Sequence, residues 1–260
     1  MRNYFLILLI FSCLFSFAQQ KEEKSFSDIE VQFEYSFTRD TTDVDLSHRS
    51  REIMVLDFNP NSSIFYSQQY LAARKVFEQA AIAAQTSANV EIRAADLPKY
   101  KISYSILRNG SSISYTGNIS RDVYTFESTY LKWKTDYSDT KTILGYKCNK
   151  ATTVFNNRLF TAWYTKQIPI SEGPYRFKGL TGLILQVSDE KNYHSFNAIG
   201  IEKKQVEIKP FSKGIPVTRE QYLKKRDEFK NNPYPERKNF PKDKRDQMIE
   251  AFKKEIPLES

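Results

Sequence analysis

The sequence predicts a mainly β protein, a β-rich α+β fold. It is built on one antiparallel, strongly curved sheet or half-barrel, with one helix near residues 68–86 and a helical C-terminal tail. Three observations predict this. Val31, Phe33, Tyr35 and Phe37 alternate with Gln32, Glu34, Ser36 and Thr38, the period-2 signature of a strand with one wet face. Asn109-Gly110 separates two short alternating runs, a tight hairpin signal. The 260 residues include 19 Phe and 16 Tyr, the ring side chains that strands favour.

The elements follow in order. Residues 31–38 and 52–58 are strands, and Ile64-Phe65-Tyr66 extends a third. Residues 68–86 lack Gly and Pro, and Leu71, Ala73, Val76, Phe77, Ala80 and Ala84 fall near helical spacing, so an amphipathic helix is expected on the sheet. Lys101–Leu107 and Ser112–Tyr115 form the hairpin around Asn109-Gly110, followed by strands at Val123–Phe126 and Tyr130–Lys134. Tyr146–Phe155 and Leu159–Thr165 pair across Asn156-Asn157, and Leu180–Val187 and Tyr193–Ile201 pair across residues 188–191. Val206–Lys209 is expected to be the last strand. Thr218 with Gln221 reads as a capping box opening a helix over 219–230, and Asp243–Lys254 as a second helix.

The N-terminus reads as a secretory signal peptide. Arg2 is followed by an apolar stretch from Tyr4 to Phe17, and Ser16-Phe17-Ala18 places small residues at a cleavage site before Gln19. The expected organisation is a signal peptide at 1–18, a β-rich domain at 19–210, and a polar helical tail at 211–260 packed on the domain or partly mobile beside it. Export to the periplasm or beyond is expected, with no transmembrane span after cleavage. Removal of the leader takes Cys13 and leaves Cys148 alone, so no internal disulfide is expected. The remaining chain is long enough to rest on its core without one. A formal charge of +8 is spread along the chain rather than blocked, which fits solvated surface better than a nucleic-acid partner.

Few residue types point to chemistry. Cys148 stands two residues after Tyr146 on one strand face, with Lys150 as its nearest cation there, and reads as a buried, unreactive thiol. Trp163 is expected in the core. His48, with Asp43 and Asp45 nearby, matches no defined metal-site spacing, and His194 has no evident acid or nucleophile beside it. No nucleophile elbow, zinc-protease helix or phosphate loop is present, and no cofactor, metal or catalytic residue is assigned. The chain is read as no enzyme.

The most distinctive stretch runs from Gly173-Pro174 through Gly179, Leu180, Thr181 and Gly182 to Leu183-Ile184. Its glycines imply a shaped loop feeding a core strand. It resembles the signature of the GLPGLI family, with Thr181 at the usual proline. Gly145-Tyr146-Lys147-Cys148 and Ala162-Trp163-Tyr164 resemble further segments of that family. The resemblance implies an exported bacterial protein of undefined role, with Gly145, Tyr146, Cys148, Trp163, Gly173, Pro174, Gly179, Leu180, Gly182, Leu183 and Ile184 as structural motif residues.

Two functions are expected from these features. In the first, a noncatalytic envelope protein binds a lipid or other hydrophobic ligand in the concave sheet, with Trp163 and Phe126 converging on it. In the second, the chain is an interaction module of an outer-membrane or envelope complex, docking through the basic tail and the glycine loop.

Overall fold

The computed structural model describes residues 24–43, 48–86, 90–255 and 257–259. The predicted signal peptide lies outside them. Two antiparallel meanders build the sheet. The first runs β2 (Ile29–Phe37), β3 (Ser50–Phe58), β4 (Ser62–Ser67), β5 (Ser105–Asn109), β6 (Ser112–Ile119) and β7 (Asp122–Ser128). The second runs β8 (Thr140–Ile143), β9 (Tyr146–Phe155), β10 (Arg158–Thr165), β11 (Leu183–Asp189) and β12 (His194–Lys203). β12 pairs antiparallel with β2, and β14 (Ile215–Pro216) adds in parallel to β7, completing twelve strands. β1 (Ser25–Phe26) and β13 (Glu207–Ile208) form a separate ribbon.

The predicted mainly β class and its antiparallel, curved sheet are what the chain adopts. The curvature shows in which rings meet. The Arg176 guanidinium lies 5.1 Å from the Phe155 ring centroid on β9 and 5.9 Å from that of Phe126 on β7, strands far apart in the sheet order. The hollow is filled by the chain itself. Residues 172–178 between β10 and β11 are buried throughout, and Tyr175, Phe177 and Lys178 are among the largest fully buried side chains. They pack against Phe155, Phe160, Phe196 and Tyr115.

Three helices complete the fold: α1 (Gln68–Ala83), α2 (Arg219–Asn231) and α3 (Lys242–Lys254). The capping box at Thr218 and Gln221 forms as predicted. α2 inserts Tyr222, whose ring centroid is 5.3 Å from Tyr115 and 5.2 Å from Phe126. α1 starts on Ser67, whose hydroxyl accepts from the Tyr70 amide at 3.1 Å.

Some elements differ from expectation. Tyr130–Lys134 is not a strand. Trp133 Nε1 donates to the Lys178 carbonyl at 2.9 Å and Lys134 exchanges two backbone bonds with Thr152, so the segment seals the buried loop while β8 takes the edge of β9. β11 begins at Leu183 rather than Leu180, because residues 180–182 complete the loop. At the β5–β6 turn only Gly110 has a positive φ, so the two-residue loop is Gly110-Ser111, with glycine first, rather than Asn109-Gly110. At Asn156-Asn157 both residues take positive φ, as the predicted tight turn requires.

Candidate binding groove on the outer face

The sheet has apolar clusters on both sides. The outer one is small: Val55, Ile64, Tyr66 and Ile208 are buried, with Leu71, Leu107 and Phe211 against them. Directly opposed residues share a face, so Glu30–Asp57–Ile64 and Gln32–Val55–Tyr66 line up across β2, β3 and β4. α1 covers this surface only in part. Its first half buries Tyr70 and Ala73, while Phe77 and Ile82 stay exposed beyond the sheet. Between the helix and residues 206–211 a groove of about 640 Å³ remains, with Ile64, Tyr66, Leu71, Phe77, Val206 and Phe211 among its lining.

Charged groups sit at its floor and rim. Asp57 is fully buried, and its Oδ2 accepts from the Tyr66 hydroxyl at 2.7 Å. Its Oδ1 accepts no hydrogen bond. Burial raises the Asp57 carboxyl to about 6; the Tyr66 bond opposes this and the neighbouring Glu30 charge adds to it. Glu30 moves the other way. Burial pushes it up, but its bonds from Lys204, at 2.6 Å, and Gln32, at 3.0 Å, prevail and hold it below the usual range. The pair therefore separates into an ionised Glu30 and a readily protonated Asp57. At the rim, Arg74 donates to the Phe211 carbonyl and lies 5.7 Å from the Phe211 ring centroid. Lys75, Glu78 and Lys209 complete the mouth.

The groove was not read from the sequence. Asp57 looked like an ordinary strand residue, since Met54-Val55-Leu56-Asp57-Phe58 is otherwise apolar. The available signal was Asp57 itself, an acid within a run that is otherwise apolar.

Of the predicted motif residues, Gly173, Pro174, Gly179, Leu180, Gly182, Leu183 and Ile184 lie in and around the inner loop, whereas Gly145, Tyr146, Cys148 and Trp163 lie on or beside β9 and β10. A Cβ on Gly182 would stand 2.1 Å from the Thr165 carbonyl oxygen, and one on Gly173 would stand 2.3 Å from that of Phe177. Gly179 and Gly145 have positive φ. Pro174, Leu180, Leu183 and Ile184 are buried. The loop carries an ion cluster: Glu172 bridges Lys178 and Arg108, and Arg108 also donates to the carbonyls of Asn59, Pro60, Asn61 and Gly110. Burial lowers the Lys178 ammonium, with Glu172 opposing.

Trp163 is half-buried on the other face, where the Lys141 ammonium sits 4.4 Å from its ring centroid, whereas Phe126 packs in the hollow on Tyr115 and Tyr222. The two do not form one pocket. Cys148 is buried beside Tyr146, and burial pushes its thiol up, against a weaker pull from Lys141. Lys141, its register partner on β8, is the nearby cation that the spacing missed. His194 is buried with Nδ1 2.7 Å from the Tyr35 hydroxyl. His48 is exposed, 3.4 Å from Asp43, and Asp45 lies outside the described residues. Among the described residues no cluster of three metal-ligating side chains occurs, and no helix is long and apolar enough to cross a membrane.

A curved antiparallel sheet with a self-filled hollow and a partly covered outer face defines a β-rich domain. The family described as N-glycanase peptide, N-terminal domain, matches residues 60–222, more than half of the chain. The chain belongs to that family. This corrects the GLPGLI resemblance, whose densest segments fall within the matched span. The glycine-and-apolar motif coincides with the close packing of Gly182 on Thr165 and with the burial of Leu183 and Ile184.

Two crystal forms of PNGF-II, P21 and C2, are similar at 15% identity with TM-scores of 0.49 and 0.47, each covering 76% of this chain. The chain spans only about a third of those chains, 33% and 32%. An uncharacterized conserved protein from Thermus thermophilus aligns at 5% identity with a TM-score of 0.36, covering 74% of this chain and 90% of that one. No curated protein matches the chain.

Proposed function

We propose that this chain is an exported, noncatalytic recognition domain and that the outer groove is its binding face. The observation that carries this is where the open apolar surface lies. The hollow is largely filled by Tyr175, Phe177 and Tyr222, and the space of about 260 Å³ that remains there is well under half of the outer groove's about 640 Å³. The outer face keeps a groove of ligand size with ring walls and the buried Asp57 carboxyl in its lining. Such a surface suits a ligand with an apolar face and a hydroxyl or amide donor, since Asp57 Oδ1 is an acceptor without a donor. The family's description names an N-glycanase, and a glycosylated peptide has this chemistry. That supports an accessory domain that positions such a substrate for another domain.

Calorimetric titration tests this with three ligands: an N-glycosylated peptide, the same peptide without its glycan, and a fatty acid. The glycopeptide should bind saturably and lose affinity in Leu71→Glu, which places a charge on the groove wall. Fatty-acid binding alone would restore the lipid reading. Release of the glycan by the purified chain would overturn the noncatalytic assignment, and binding of none of the three would overturn the groove.

A further inference from the structure

At the opposite side of the molecule, residues 257–259 lie across the mouth of the hollow. They form no helix and pair with no strand. Side chains from three elements hold them. Arg158 Nη2 donates to the Pro257 carbonyl at 3.0 Å, Asn156 Nδ2 to the Leu258 carbonyl, and Arg226 Nη1 to the Glu259 carbonyl. Three consecutive main-chain acceptors are thus each taken by a side-chain donor. Leu258 is buried in the main core.

The Glu259 carboxylate is enclosed as well. Arg176 Nη1 reaches Oε1 at 2.5 Å, the Tyr175 hydroxyl donates to the same oxygen, and Arg219 Nε reaches Oε2 at 3.0 Å. Arg219 is itself oriented by Asn156 Oδ1 at 2.8 Å. Of the two arginines on the segment's carbonyls, Arg158 also faces Asp189 at 3.7 Å and Arg226 faces Asp227 at 3.2 Å. A space of about 260 Å³ remains beside the segment, walled by Tyr35, Tyr104, Tyr115 and Tyr222. The buried Tyr104 hydroxyl in that wall makes no hydrogen bond.

Donors aimed at successive carbonyls, an apolar seat and a two-arginine clamp on the next acid are the parts of a peptide-binding site. We propose that this mouth is a recognition site for an extended peptide bearing an apolar residue followed by a glutamate, and that residues 257–259 occupy it in cis as a displaceable latch. The arginine–carboxylate bonds set the acid requirement and the Leu258 seat sets the apolar one. The cis segment competes at the high effective concentration of a tethered ligand, so the open site shows itself only when the latch is weakened.

The test uses the full chain with Leu258→Ala and Glu259→Ala together, and a fluorescent peptide of the sequence of residues 255–260. Circular dichroism checks that the variant is folded. Fluorescence anisotropy should show saturable binding to the variant, with wild type at least about tenfold weaker because its own latch competes. A peptide with Gln at the glutamate should lose about tenfold or more. In wild type, excess peptide should speed amide hydrogen exchange at 255–259, a readout that does not depend on the variant folding. A folded variant that binds neither peptide, equal binding of the Glu and Gln peptides, or unchanged exchange in wild type would each overturn the proposal and leave the segment as a fixed structural strap.

Discussion

The two faces of one sheet have been finished in different ways. Inside, the loop at 171–182 enters the hollow and fills it with Tyr175, Phe177 and an ion cluster. Outside, a helix covers half of a small apolar cluster and stops short. The inner loop ties Lys178 and Arg108 to Glu172 and to backbone carbonyls, while the outer groove leaves Asp57 Oδ1 in its lining without a donor. The difference separates a face closed by its own chain from one left partly open.

If that contrast holds, inner substitutions should cost most. Glu172→Met leaves Arg108 and Lys178 buried against each other, and should destabilise by about 3–5 kcal/mol in urea unfolding. Lys178→Met should cost distinctly less, because the Arg108–Glu172 pair survives it. Equal costs for the two would show that the cluster is not organised around the glutamate. Gly182→Val forces a side chain into the Thr165 carbonyl and should cost about 3 kcal/mol or more, seen as a lower melting temperature.

Outer substitutions should be milder and of mixed sign. Asp57 ionises at about 6 when folded, above its ordinary 3.8, so the folded chain binds more protons than the unfolded one across that interval. Its contribution to stability is therefore complete below about pH 4, falls as pH rises to about 6, and is flat beyond. Asp57→Asn mimics the protonated form and still accepts from Tyr66. It should remove that slope and raise stability at pH 7 by roughly 1–2 kcal/mol. A slope unchanged in the variant would place the titration elsewhere. The smallest effect is expected for Phe77→Ala. Its ring is 48% exposed, so stability should shift by less than about 0.5 kcal/mol while ligand affinity at the groove falls.

What could be read in advance follows the range of the interactions. The alternation at 31–38, the Asn156-Asn157 turn and the Thr218 capping box depend on neighbours in the chain, and they formed as read. Gly173 and Gly182 sit where a Cβ would meet backbone oxygen, and that destination inside the hollow is not legible in the sequence. It depends on Thr165 and Phe177 approaching to contact. Tyr130–Lys134 shows the same limit: its residues suit a strand, yet Trp133 is committed to the Lys178 carbonyl. The groove and the latch site were invisible for a related reason. Glu30, Asp57 and Tyr66 come from three strands, and the donors to Glu259 come from residues 175, 176, 219 and 226.

The seam between β2 and β12 has a consequence for how the chain assembles in time. Each meander pairs sequence neighbours, and tight hairpins such as β5–β6 and β9–β10 close small loops and can form early. The seam joins Phe37 to His194 and Ile29 to Lys203, across well over a hundred intervening residues. Closing so long a loop is entropically slow, and contacts of that separation dominate the folding time of β proteins. Until it closes, β2 and β12 are both free edges rich in rings, Tyr35 and Phe196 among them, and each is a template for the wrong partner. Their rings end 4.1 Å apart and nearly parallel. The last join to be made is thus also the one most exposed to mispairing, so yield on refolding should fall with concentration before any loss of native stability is seen.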